Sequence, residues 1–256
     1  MKLAKAEAIY RPNLLINSDF QVWQRGDSVS VASSQKGYTA DRWLLQNNRT
    51  DVPITAYRIY DGSENPTVQQ YYESYGSGIS ALTVSSARFL YLMDIEEAKK
   101  YEGKTVVLSY SLNKEITVNE PYTFTITETD KTNGYVQCFY RLMDIGEVLN
   151  WVKLELGSIA TPLVPRLHAE ELLLCQRYYQ ILGKIIAARY DYSSNYSYFT
   201  GCRFSEMRAI PSVSIVSNEN LVYQPHETTT KSISYFSLNG DKDATDLTVY
   251  LDAEIK

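Results

Sequence analysis

The segment WVKLELGSIATPLVP, Trp151 to Pro165, runs directly into AEELLLCQRYYQ, Ala169 to Gln180. An apolar-alternating strand ends in a Gly, Thr-Pro and Pro stop, and a Glu-rich helical start follows at once. One folded unit is therefore expected to hand over to another at this join. At 256 residues the chain is long enough for one large core or two smaller ones, and the join favours two.

From Pro12 to about Pro165 the pattern is short alternating runs separated by turn residues. Ser77 to Ser86, Lys104 to Leu112, Tyr122 to Thr129, Tyr135 to Leu142 and Trp151 to Leu156 read as strands. Breaks fall at Gly76, Gly78 and Gly103, from Asn119 to Pro121, and at Asn133-Gly134. Many short strands with brief turns predict a sandwich. Met93 to Gly103 interrupts them as a helix, acidic early and Lys-bearing late, with Gly at its end.

A second helix is expected from His168 to Leu182, with Pro165 ahead of it and Gly183 as its cap. Leu172, Cys175, Tyr179 and Leu182 would then lie on one face, either packed on their own domain or forming a seam about a three-fold axis. Beyond Gly183 the signals return to β: IIAARYDYSSNYSYFTGCRF, PSVSIVS, SISYFSL and DLTVYLDAEI. Residues 184–256 are few for an independent β domain, which favours copies packed together.

The opening NLLINSDFQVWQRG (Asn13 to Gly26), TADRW (Thr39 to Trp43), then LELGS, ATP and EELLLCQRYY occur here in that order. In this order they resemble the tail-fibre and receptor-binding proteins of tailed phages and prophages, and the resemblance covers nearly the whole chain. It implies an all-β fold: a carbohydrate-module-like jelly-roll β-sandwich at 12–166 after an N-terminal linker at 1–11, a linker helix at 167–183, and a small C-terminal β-sandwich tip at 184–256. It also implies a non-enzymatic role in host attachment, in the virion tail, as a homotrimer beside other tail or baseplate proteins. The ligand would be a bacterial surface polysaccharide or teichoic acid. The alternatives are a structural baseplate or fibre adaptor, with the jelly roll as a spacer, and a free-standing carbohydrate-binding module.

Composition narrows the classes. A net charge of -5 gives no general basic footprint for nucleic acid. The three cysteines, Cys138, Cys175 and Cys202, lie far apart with no CxxC, and there are two histidines, so neither a disulfide framework nor a zinc site is expected. No segment reads as a signal peptide or membrane span, so folding in a reducing cytosol and release by lysis are expected, without membrane insertion.

Candidate site residues follow from the 22 tyrosines, set against 7 phenylalanines, because tyrosine suits half-wet binding faces and interfaces as well as antiparallel sheets. Tyr190, Asp191, Tyr192, Asn195, Tyr196 and Tyr198 combine rings with amide and carboxylate groups in nine residues, as a sugar site requires. The tyrosines at even positions would share a face of one continuous strand, either as this site or as a half-buried sheet face or trimer contact. Trp23, Trp43 and Trp151 are read as core, with Asp41 and Arg42 forming an ion pair or cap beside Trp43. The jelly-roll resemblance carries a structural calcium position, but Gln21, Asn150 and Trp151 stand where anionic ligands are preferred, leaving Asp19. No metal or cofactor is expected. With no carboxylate pair set off by position, and His168 at a helix start and His226 in a loop, no catalytic residue is assigned.

Overall fold

The computed structural model describes residues 11–48, 53–58, 87–144, 147–193, 196–217, 222–239 and 244–255, without the side chains of 184, 186–193, 196, 239, 244 and 245. The expected strand at Ser77 to Ser86 lies outside them, as do Gly76, Gly78 and residues 1–10 of the N-terminal linker. The chain divides into two compact units, with Met1–Glu171 and Ile255 in the first and Leu172–Glu254 in the second.

The first unit begins with strands β1 (Ser28–Val31), β2 (Lys36–Tyr38), β3 (Trp43–Asn47), β4 (Ile54–Tyr57) and β5 (Ala87–Asp94). It continues with helix α1 (Ile95–Ala98), β6 (Thr105–Leu112), β7 (Glu115–Val118), β8 (Tyr122–Thr123), α2 (Glu128–Asn133), β9 (Tyr135–Met143) and β10 (Leu149–Leu156). One antiparallel sheet runs β2-β3-β5-β9. A second runs β10-β6-β7 with β8 also on β6, and β1 pairs with β4.

Period-two alternation explains why these two sheets sandwich a core. Along β3, Trp43 and Leu45 are fully buried, while Gln46 on the other face is partly exposed. Trp43 stacks on Phe89 at 5.4 Å and meets Phe20, Tyr91 and Phe139 edge-on. Tyr110 of β6 meets Phe139 of β9 at 5.8 Å, joining the two layers. On the outward side of the first sheet, Leu44, Leu90 and Leu92 cluster with Ile255, which groups with this unit.

Two expected elements are shorter than the sequence predicts. The helix expected over Met93 to Gly103 is confined to Ile95–Ala98, with Asp94 accepting the Glu96 N–H as its cap. The strand expected over Tyr122 to Thr129 stops at Thr123. Thr127 instead forms a capping box with Asp130, satisfying two orphan donors and nucleating α2.

The larger correction is at the join. Helix α3 spans His168–Gln176, not His168 to Leu182, and strand β11 (Tyr179–Ser193) takes over. Tyr179 and Leu182 are strand residues paired with Asp252 and Val249, so the stripe with Leu172 and Cys175 is not one helix face. Gly183 is not a helix cap but lies within β11, at the irregularity between Leu182 and Ile185. Ladder hydrogen bonds to a partner strand outweigh continuation of the helix here.

The second unit adds β12 (Tyr196–Arg203), β13 (Ser212–Ser217), β14 (Tyr223–Thr228), β15 (Ser232–Asn239) and β16 (Ala244–Asp252). They form one sheet, β13-β16-β11-β12-β15-β14, in which the long β11 pairs with β16 along its first part and with β12 along its last. Leu247, Val249 and Leu251 from one end pack with Phe199, Ile233, Phe236 and Leu238 from the other, so the sheet folds over one apolar core in two layers. The stretch read as a loop around His226 is strand β14. Pro225 is accommodated there because β14 is an edge. The described strands are antiparallel throughout, and the chain is all-β with three short helices among the described residues.

Candidate functional site

The motif-bearing segments of the first unit turn out to be its internal fastenings. Asn13 accepts the N–H groups of Leu15 and Leu154 and donates to the Val152 carbonyl at 2.9 Å, tying the opening to β10. Asn17, at φ 52, donates to the Val22 and Asp41 carbonyls and accepts the Val22 N–H. Its own N–H donates to Glu171, whose two carboxylate oxygens both accept from Arg166 Nη1 at 3.1 Å. Arg166 also donates to the Leu15 carbonyl at 3.0 Å and to the Asn13 carbonyl. Burial pushes the Glu171 carboxyl above its usual range, outweighing Arg166 and the Asn17 N–H.

A second fastening explains the LELGSIATP stretch. Lys153 and Glu155 point away from the apolar core yet are 1% and 0% exposed, with their charges 3.3 Å apart. Glu155 accepts from the Thr161 N–H and hydroxyl, while Lys153 donates to the carbonyls of Thr161 and Pro162 and to the Thr161 hydroxyl. Gly157 carries φ +110 where the chain leaves β10. A side chain there would meet the Arg11 guanidinium at 2.2 Å.

The residues weighed for calcium do not suit the ion. Gln21 donates its amide to Asp19 Oδ2 at 2.5 Å and to the Arg166 carbonyl. Asp19 is raised above the usual carboxylate range by burial, which outweighs its hydrogen bond from Gln21 and the nearby Arg166 guanidinium. A carboxyl already engaged by the Gln21 amide and set near the Arg166 guanidinium is a poor hard-ion ligand. Asn150 accepts from the Lys114 N–H at 2.9 Å instead. Among the described residues no group of three or more His, Cys, Asp or Glu could hold a metal.

Trp43 is core, and Trp23 is buried with its indole N–H on the Phe20 carbonyl, whereas Trp151 is half-exposed. Beside Trp43, Asp41 pairs with Arg25 at 3.2 Å, and Arg42 donates to the Leu92 carbonyl and lies over the Tyr91 ring.

The expected tip site is partly reached by the described structure. Asn195 lies outside the described residues, as do the side chains of Tyr190, Asp191, Tyr192 and Tyr196. Their backbones correct one expectation, because the tyrosines are not on one continuous strand. A hairpin separates β11 from β12, pairing Asp191 with Tyr198, Tyr192 with Ser197 and Ser193 with Tyr196, and the register shifts between Arg189 and Asp191. Tyr192 and Tyr198 therefore hold ladder positions of opposite parity. Tyr198 is half-buried, with its ring 6.1 Å from that of Tyr235.

A groove that the sequence did not indicate lies on the outward side of β2-β3-β5-β9. About 560 Å³ in volume, it is lined by the half-buried Tyr135 and by Leu44, Leu90 and Leu92, which are themselves buried in the cluster with Ile255. Gln35, Lys36, Gln46, Asn48 and Gln137 supply amides and one ammonium around it. Lys36 faces Gln46 across one strand pair, and Leu92 faces Gln137 across another, so the polar groups come from separate strands held in register. Lys36 is the one charged residue in this lining, which contains no carboxylate. The only hint in the sequence was polar amides at the outward positions of WLLQN and YVQCF.

Comparison with protein-family models, curated proteins and solved structures finds no match to this chain. No described helix is long and apolar enough to cross a membrane.

Proposed function

We propose that this protein is a non-enzymatic attachment protein of the tail-fibre or receptor-binding kind, and that the groove of its first unit holds a bacterial surface saccharide, a polysaccharide or teichoic acid. The groove carries the reading. A sugar ring offers apolar C–H faces ringed by hydroxyls, and here the half-buried Tyr135, backed by buried leucines, is flanked by amides that both donate and accept. Amides discriminate hydroxyl patterns, because a buried polar group left unpaired on either side costs affinity. The lining offers no carboxylate pair to act as acid and base, which supports binding without hydrolysis.

Weak individual sites gain avidity when copies are held on one virion tail, so a homotrimer working beside other tail or baseplate proteins belongs to this proposal. Because α3 ends at Gln176, the seam of Leu172, Cys175, Tyr179 and Leu182 on one helix is not available, and this proposal assigns the assembly to the small second unit. The test is attachment of purified protein to bacterial cells. The double variant Gln46→Ala, Gln137→Ala should lower attachment roughly tenfold or more at unchanged melting temperature. Undiminished attachment would leave the first unit as a spacer.

A further inference from the structure

We infer that the outward face of the second unit's sheet is a separate binding site for an anionic saccharide, centred on Tyr235, His226 and Arg203. The inference rests on the reading of this protein as a saccharide binder, but on a different unit and different residues. Phe199 and Phe236 are fully buried in the core, so their neighbours Tyr198, Thr200, Tyr235 and Ser237 point to the other face. The register sets Thr200 opposite Tyr235, and Tyr235 opposite His226 on β14. Three rings thereby gather on one face. His226 stacks on Tyr235 at 4.5 Å with 8° between planes, and Tyr198 meets Tyr235 at 62°. The Ser237 hydroxyl lies 2.6 Å from His226 Nε2 and holds that ring in place.

None of these rings belongs to the apolar core, and Tyr235 and His226 are half-exposed. Rigid, partly exposed aromatics lose little entropy on meeting a flat ligand face. From Tyr235 a groove of about 460 Å³ runs past Thr200, Gly201, Ser232 and Ser234 to Arg203. At Gly201 an added Cβ would lie 1.9 Å from the Ile233 carbonyl oxygen, so this stretch of the floor is bare backbone. The hydroxyls suit a polyol or sugar. Arg203 is exposed and is the one charged residue of the lining, which contains no carboxylate. A guanidinium beside hydroxyls and a ring platform selects phosphate or carboxylate carried on a saccharide.

Three probes titrated into isotope-labelled full-length protein separate the sources of negative charge: glycerol-phosphate oligomers, oligogalacturonate and a neutral malto-oligosaccharide. At least one anionic probe should shift the resonances of Tyr235, His226 and Arg203, and the neutral probe should leave them unmoved. Arg203→Ala should weaken anionic binding roughly tenfold or more. Arg203→Lys should recover part of the loss, and Tyr235→Ala should reduce binding further. Arg203 is on the surface, so its variants report binding even if Tyr235→Ala perturbs folding. The inference is overturned if no anionic probe binds, if Arg203→Ala binds as wild type does, or if the loss follows Gln46→Ala and Gln137→Ala. The reading of the first unit fails separately, if those two substitutions leave cell attachment unchanged.

Discussion

The two units solve the same packing problem in opposite ways. The second folds one sheet over an apolar cluster, Leu247, Val249, Leu251, Phe199 and Phe236, and the stripe that does this alternates along the strands. The first also has an aromatic core, but its loops and its join are secured by buried polar groups: Asn13, Asn17, Arg166 with Glu171, and Lys153 with Glu155. Distinctive sequence motifs thus coincide with fastening points in the first unit. In both units the candidate binding surfaces are assembled from ordinary residues on outward strand positions.

The comparison predicts where each unit breaks. Lys153→Ala leaves Glu155 buried and uncompensated, so it should destabilise the first unit by about 3–5 kcal/mol, read as a lower urea midpoint in the first unit's spectroscopic signals. Leu247→Ala, a cavity in the apolar core of the second unit, should cost about 2–5 kcal/mol in that unit's transition. Asn17→Ala removes three hydrogen bonds at a left-handed backbone position and should cost about 2–3 kcal/mol in the first unit. Equal sensitivity of both units to all three changes would erase the distinction drawn between them.

Acid should separate the units in a smaller but telling way. Asp19 and Glu171 belong to the first unit, and burial raises both above their ordinary values of 3.8 and 4.5. The folded unit therefore holds these protons at a pH where the unfolded chain has released them, and this contribution to stability grows as pH falls toward the ordinary carboxylate range. It is lost as pH rises through the folded values. Urea midpoints measured from pH 7 to about 5 should rise for the first unit relative to an Asp19→Asn, Glu171→Gln variant. A difference that shrinks on acidification would contradict the assignment.

Much of the fold was legible where alternation was clean, as at 105–112, 135–143 and 149–156 in the first unit and 212–217 and 232–239 in the second. It failed where two local codes overlap. TFTITET reads as strand, yet Thr127 within it forms a capping box with Asp130 just beyond it. Tyr179 and Leu182 continue a helical spacing, yet pairing with β16 claims them. Of the expected tip site, Tyr198 does face a ring cluster, but its partners Tyr235 and His226 are brought there by strand register that no local motif encodes. The amide groove was illegible for the same reason, since Gln137 on β9 is distant in the chain from the Lys36 and Gln46 pair of β2 and β3.

The claim that the first unit is a saccharide reader, and not only a spacer, is tested most directly by a crystal structure of the protein soaked with fragments of host surface glycan. The account predicts a sugar ring against Tyr135, hydrogen-bonded to Gln46 and Gln137. Glycan found elsewhere with this groove empty, in crystals whose lattice leaves the groove open, would contradict it.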